Sequence, residues 1–275
     1  MNQELDNSNK AKTVIFLHLP KAAGTTLCDI FLRQYQAGSI HLLDGTNFDQ
    51  AQEDFKQLSP EEKAQIKILM GHMYFGLHEY QPHPATYVTM LRNPIDRVIS
   101  YYYFIKKARN HPDYEMMKTK NISIEDYCQM GVVNMCNGQT RFLSGNQESE
   151  INGKEILKQA KKNLQEYFSV VGIQEKFDES LLMLRNKLAW KKMPYYYRRN
   201  TNRTKSYRQE ISNSTRAAIE KYNELDLELY EYATKIFEQK LKQQNGKIER
   251  KLQLFKLKNQ VYGKYSAFVQ KAMFK

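Results

Sequence analysis

Apolar positions in this chain fall into two kinds of run. Four short β-rich clusters, Val14 to Leu19 (VIFLHL), Ile68 to Met70, Tyr87 to Leu91 and Val170 to Ile173, have the length and density of buried strands. The first stops abruptly at Pro20, and Leu27, Ile30 and Phe31 then recur at helical spacing, so residues 20–26 (PKAAGTT) form a strand-to-helix loop. Ser59, Pro60 and Glu62 read as N-cap, N1 proline and N3 acid of a brief helix ending before Ile66. Asn93 and Pro94 open a longer helix that the pattern carries to about Arg109, and further helices fall near 154–167 and 175–189. Residues 213–243 predict one long helix, with Ile219, Tyr222, Leu225, Leu229, Tyr232, Ile236 and Leu241 on one face and Gly246 ending it. Strands separated by helices predict an α/β fold, a central parallel sheet flanked by helices with ligands at the carboxyl ends of its strands. With no internal repeat or low-complexity linker, the division is one domain over 14–245 and a helical extension over 246–275.

Composition narrows the class. The 275 residues are 41% apolar and 26% charged with only 12 Gly and 7 Pro, a globular balance. No apolar stretch approaches the roughly 20 residues that span a bilayer, and residues 1–13 carry no apolar signal core, so a cytoplasmic location is expected. Three cysteines without ligand spacing argue against a disulfide framework and a zinc site, and sequons at Asn121, Asn202 and Asn213 read as chance. The formal charge of +12 is concentrated: residues 240–275 hold ten Lys/Arg against Glu249 alone, and residues 190–208 hold seven with no acid. The remainder is net acidic, which fits a local anion site plus a basic tail better than a nucleic-acid face. In the tail, Ile248, Leu252, Phe255, Tyr262, Tyr265, Val269 and Met273 recur at helical spacing. Its apolar stripe is expected on the chain's own core or a second subunit; the sharper alternative is peripheral contact with anionic lipid at the inner membrane face.

The loop after the first strand carries the chemistry. Lys21, Gly24, Thr25 and Thr26 precede a helix whose free amides and dipole favour an anion, Gly24 permits close approach, and the lysine and hydroxyls add donors. A nucleotide-hydrolysing loop reads G-x-x-x-x-G-K-[ST], with lysine after glycine; here Lys21 comes first, which weakens a kinase reading. HLPKAAGTT resembles the 5′-phosphosulfate loop of sulfotransferases that use PAPS (3′-phosphoadenosine 5′-phosphosulfate). LRNPIDRVISYY is similar to the same family's 3′-phosphate motif, matching Arg92 at a strand end and Ser100 eight residues later. MGHMYFGL (70–77) and QTRFLSG (139–145) extend the resemblance to the glycan-type branch that includes heparan sulfate 2-O-sulfotransferase, as do Ser212, Ile219, Asn223, Asp226, Leu229, Tyr230, Glu231 and Ala233. It covers about residues 14–238. The chain departs from the pattern at Ala22-Ala23, where many members carry Thr-Gly or Thr-Ala.

The resemblance implies a P-loop-like three-layer fold and transfer of a sulfuryl group from PAPS to an acceptor hydroxyl on a glycan or glycolipid, leaving PAP, without a metal. It implies Lys21 and His72 as catalytic groups, His72 as general base. Residues Lys21, Ala22, Ala23, Gly24, Thr25, Thr26, Arg92 and Ser100 are expected to hold the cofactor, joined by Arg203 from the basic stretch 198–208, with Arg141 and His78 facing the substrate. Two other classes stand beside this reading. A nucleotide-dependent small-molecule kinase lacks its G-K-[ST] triplet here, and a non-catalytic polyanion binder would not need Lys21, Gly24, Thr25, Arg92 and Ser100 together. Segments 41–60, 110–137 and 144–153 are expected as acceptor loops.

Overall fold

The computed structural model describes residues 12–43, 47–146, 152–197, 211–243 and 247–273. Five strands, β1 (Thr13–Leu17), β2 (Ile40–Leu43), β3 (Ile68–Gly71), β4 (Ala85–Leu91) and β5 (Phe168–Ile173), form one sheet of order β2-β3-β1-β4-β5, parallel throughout. The three central strands are apolar on nearly every residue because helices cover both faces of the sheet. Helix α1 (Gly24–Gln34) follows β1, α2 (Phe48–Gln57) and α3 (Pro60–Gln65) precede β3, and α4 (Pro94–Ile105) follows β4. The Ser59 and Glu62 capping box that starts α3 is present in full.

Segment 110–137, expected as an acceptor loop, carries helices built around a small core. Helices α5 (Tyr114–Thr119) and α6 (Ile124–Gln129) bury Met117, Ile124, Tyr127 and Cys128 against Val98, Ile99 and Ile105 of α4 and Ile219. Helices α7 (Gly138–Ser144) and α8 (Gly153–Glu166) lead to β5, and α9 (Phe177–Lys187) packs back on that strand. The long helix expected over 213–243 is two, α10 (Asn213–Tyr222) and α11 (Glu224–Lys242). Asn223 divides them: its side chain donates to the carbonyls of Met135 (2.8 Å) and Ile219 (2.9 Å) and accepts from the Asn137 amide (3.0 Å), holding the backbone out of helical geometry at φ −129.

Helix α12 (Lys247–Met273) docks on the sheet domain rather than standing apart. Phe255 is 1% exposed within the main core, Tyr195 stacks on both Phe255 and Tyr262, and Arg33 of α1 donates to the Tyr262 hydroxyl (3.2 Å) and the Tyr195 carbonyl (2.6 Å). Its outer face leaves Leu254, Leu257, Val261 and Tyr265 more than half exposed. Among the described residues no helix is long and apolar enough to cross a membrane.

Candidate active site

The carboxyl ends of β3, β1, β4 and β5 open into a cleft of about 1710 Å³. Residues from the loop after β1 form its floor. Lys21 and Ala23 both adopt left-handed backbone, φ 66 and 60, so the chain turns sharply into α1. Ala23 at the N-cap offers no capping side chain, which leaves the first α1 amides for a ligand. Lys21, Ala23, Gly24, Thr25 and Thr26 line the cleft, but Ala22, expected beside them, does not. It is 1% exposed in the core, and its amide donates to the Leu19 carbonyl (3.3 Å), so neither end of it faces a ligand.

Burial and the neighbouring Arg92 bring the Lys21 ammonium down to about 8, and its Nζ sits 4.2 Å from the centre of the Phe104 ring. Arg92 lines the cleft beside it and donates from its guanidinium to the Lys21 carbonyl (3.0 Å), tying the two motifs together. Ser100 on α4 reaches the same cleft. The backbone of Arg92 is itself clamped: its amide donates to Gln139 Oε1 (3.0 Å) and its carbonyl accepts from Gln139 Nε2 (2.9 Å). Gln139 lies in the first turn of α7, whose amides at Gln139 and Thr140 donate to the buried Asp226 carboxylate at 3.1 and 2.7 Å. Asp226 also sits 3.5 Å from the buried Arg97 guanidinium. Both Gln139 and Asp226 stand in the sequence patterns above, yet their task as supports of Arg92 could be read only from their contacts.

His72 follows β3 at the cleft edge. Its Nδ1 is 2.7 Å from the His18 carbonyl, an acceptor only, so Nδ1 carries the proton and the Nε2 lone pair is left for another partner. Burial holds His72 below the ordinary imidazole value; the bond to His18 opposes this, and the Lys21 charge adds to it. The His18 ring stacks on His72 at 4.1 Å and on Phe16 at 5.6 Å. Burial, His72 and Lys21 in that order press the His18 value well down, which keeps this ring neutral. Gly24 is required here for packing: a Cβ on it would lie 1.6 Å from His18 Nε2. His18, quoted within the first motif and given no role, is therefore the platform beneath His72.

Two expected substrate residues lie elsewhere. His78 is 3.1 Å from the Tyr87 hydroxyl and packs among Phe75, Tyr87 and Tyr167, beside the entry end of β4, because the chain leaves the cleft after His72. Arg141 lies on α7 and does not line the cleft. Arg203 lies outside the described residues. Cys28 is an ordinary packed thiol, pushed up to about 11 by burial and by Asp29. Among the described residues no group of three or more His, Cys, Asp or Glu side chains is placed to hold a metal ion.

A parallel α/β sheet with an uncapped helix start after β1 and an arginine at the end of β4 defines an α/β protein of the P-loop-like class. The family profile described as Galactose-3-O-sulfotransferase matches residues 2–261, and the chain belongs to that family. Its curated relatives include the Drosophila melanogaster protein "Heparin sulfate O-sulfotransferase", 25% identical over 89% of this chain and 78% of the relative. "Galactose-3-O-sulfotransferase 3" of Bos taurus is 28% identical over 83% of this chain, which spans only 57% of that relative's length. Among solved structures, mouse sulfotransferase SULT7A1 complexed with PAP aligns with a TM-score of 0.41 and 13% identity, covering 77% of this chain and 64% of the other.

Proposed function

We propose that this protein transfers a sulfuryl group from PAPS to a carbohydrate hydroxyl on a glycan or glycolipid. One arrangement carries the reading: Lys21 with the uncapped start of α1, Arg92 and the unprotonated Nε2 of His72 share one cleft. The donor supplies an activated sulfuryl group. The α1 amides and Lys21 hold the 5′-phosphate end, where negative charge grows as the group leaves. Arg92 and Ser100 hold the 3′-phosphate, the guanidinium acting as a fork of donors. His72 Nε2 accepts the proton of the acceptor hydroxyl, since Nδ1 is committed to His18. The reading assigns charge stabilisation to these cations and amides and calls for no metal. Relatives named for heparin sulfate and galactose support a sugar acceptor.

Incubation of the purified protein with ³⁵S-labelled PAPS and a panel of galactosides, glycosaminoglycans and glycolipids tests this. Label is expected on a sugar hydroxyl, and PAP is expected to raise the melting temperature by mass action. Stabilisation by ATP with Mg²⁺ but not by PAP would overturn the donor assignment in favour of a kinase.

A further inference from the structure

We propose that helix α12 is the outer wall of the donor cleft, where Lys256 and Lys264, flanking the space left by Gly263, hold the nucleoside end of the donor with its 3′-phosphate. This inference rests on the donor reading above.

Strand order sets the direction. His72 follows β3, Lys21 follows β1, Arg92 follows β4 and Gln174 follows β5, so the sheet lays them in a row along its carboxyl edge. Three strand spacings separate the ends of that row, about 14 Å, a length suited to an extended nucleotide. With the reacting group at Lys21 and His72, the rest of the donor runs over β4 toward β5. Helix α12 meets the cleft at that far end: Lys256 pairs with Glu179 at 3.5 Å, and Asn259 accepts from the Tyr196 amide at 2.8 Å.

Helical geometry then separates two faces of α12 that meet the rest of the chain. Phe255, Asn259 and Tyr262 turn inward and dock the helix. Lys256, Gln260, Gly263 and Lys264 fall on the adjacent face and line the cleft. A Cβ on Gly263 would meet nothing within 4 Å, so the protein's own packing does not call for glycine there. Glycine inside a helix is destabilising relative to alanine, and the open space it leaves belongs to the cleft. The nearby carboxylates already have partners. Glu175 accepts from the Asn93 amide and the Tyr230 hydroxyl and Asp178 from the Tyr196 hydroxyl, bonds that fix both carboxylates without cancelling their charge, and Glu179 pairs with Lys256, so Lys264 is the cleft lysine at this end in no ion pair among the described residues. Gln174 lines the same end, and its Oε1 is enclosed with no hydrogen-bond partner among the described residues.

Calorimetric titration of the full chain with PAP, and with adenosine 5′-phosphosulfate, which has no 3′-phosphate, tests the wall. Lys264→Ala is expected to weaken PAP by about tenfold, the loss of one charge-assisted contact, and to change the analogue little. Gly263→Leu is expected to weaken both ligands by about tenfold or more without lowering the melting temperature of the free protein, because leucine is the better helix former. PAP affinity within about twofold of wild type in both variants overturns the inference. So does a raised acceptor KM with unchanged PAP affinity, which would give the helix to the acceptor. Wild-type protein that fails to bind PAP sinks the donor reading as well. Binding that Arg92→Ala abolishes and the α12 variants leave intact removes the helix inference alone.

Discussion

In the mechanism proposed above, His72 acts only when neutral and Lys21 stabilises the leaving phosphate only when charged, so the two are expected to set opposite limbs of a pH profile. Burial lowers both values, so kcat/KM for the donor is expected to fall on the acid side only below the ordinary imidazole range and on the alkaline side near 8. Lys21→Arg should remove the alkaline limb, since arginine stays charged; a profile that remains flat above pH 9 in the wild type contradicts the role given to Lys21. His72→Ala should lower kcat by on the order of 10²- to 10⁴-fold with PAP affinity kept. Gln139→Leu removes both bonds to the Arg92 backbone and should weaken PAP binding while the acceptor KM holds, which titration and kinetics together would show. Lys21, Gly24, Thr25, Thr26, His72, Arg92 and Ser100, which line the cleft, were legible in sequence because they stand in short local motifs. Gln139 and His18 act through partners 47 and 54 positions away, respectively, and no local spacing encodes such a pairing.

At the scale of elements, the strands that could be read were the ones buried on both faces. β2 escaped because it is a short edge strand whose four residues are mostly half-exposed, leaving no clean apolar run. α10 and α11 were read as one because their apolar spacing runs on across Asn223, a polar residue that helices tolerate until its side chain finds distant backbone partners. In α12 the inner stripe named Leu252, Phe255 and Tyr262 correctly as apolar, but periodicity does not say what a stripe meets. Phe255→Ala should cost about 3–5 kcal/mol, the usual penalty for emptying a buried ring site, and removal of residues 244–275 should cost at least as much, both measurable by denaturant unfolding. Unfolding midpoints equal to wild type in both cases would mean that α12 does not contribute to the core in solution.

Across the whole molecule, the cleft is assembled from both halves of the chain. Asn137, at left-handed φ 54, accepts from the Leu225 and Asp226 amides at 3.0 and 3.1 Å, while its own amide donates to Asn223 and the amides following Gly138 donate to Asp226. Two helix starts thus cap each other across nearly ninety residues of sequence. The order of folding follows from this lock. β1, β3 and β4 can pair before residue 226 exists as structure, but α7, and through Gln139 the seat of Arg92, cannot be fixed until α11 arrives. Contacts so far apart in sequence form late, after their loop-closure entropy has been met. In a refolding time course followed by both far-ultraviolet dichroism and a fluorescent PAP analogue, the dichroism should recover first and nucleotide binding only in the slowest phase. On a ribosome the same lock means that a nascent chain ending before residue 226 holds the sheet and the loop after β1 without a seated Arg92, and under the proposed function it is not expected to sequester nucleotide until α11 has emerged.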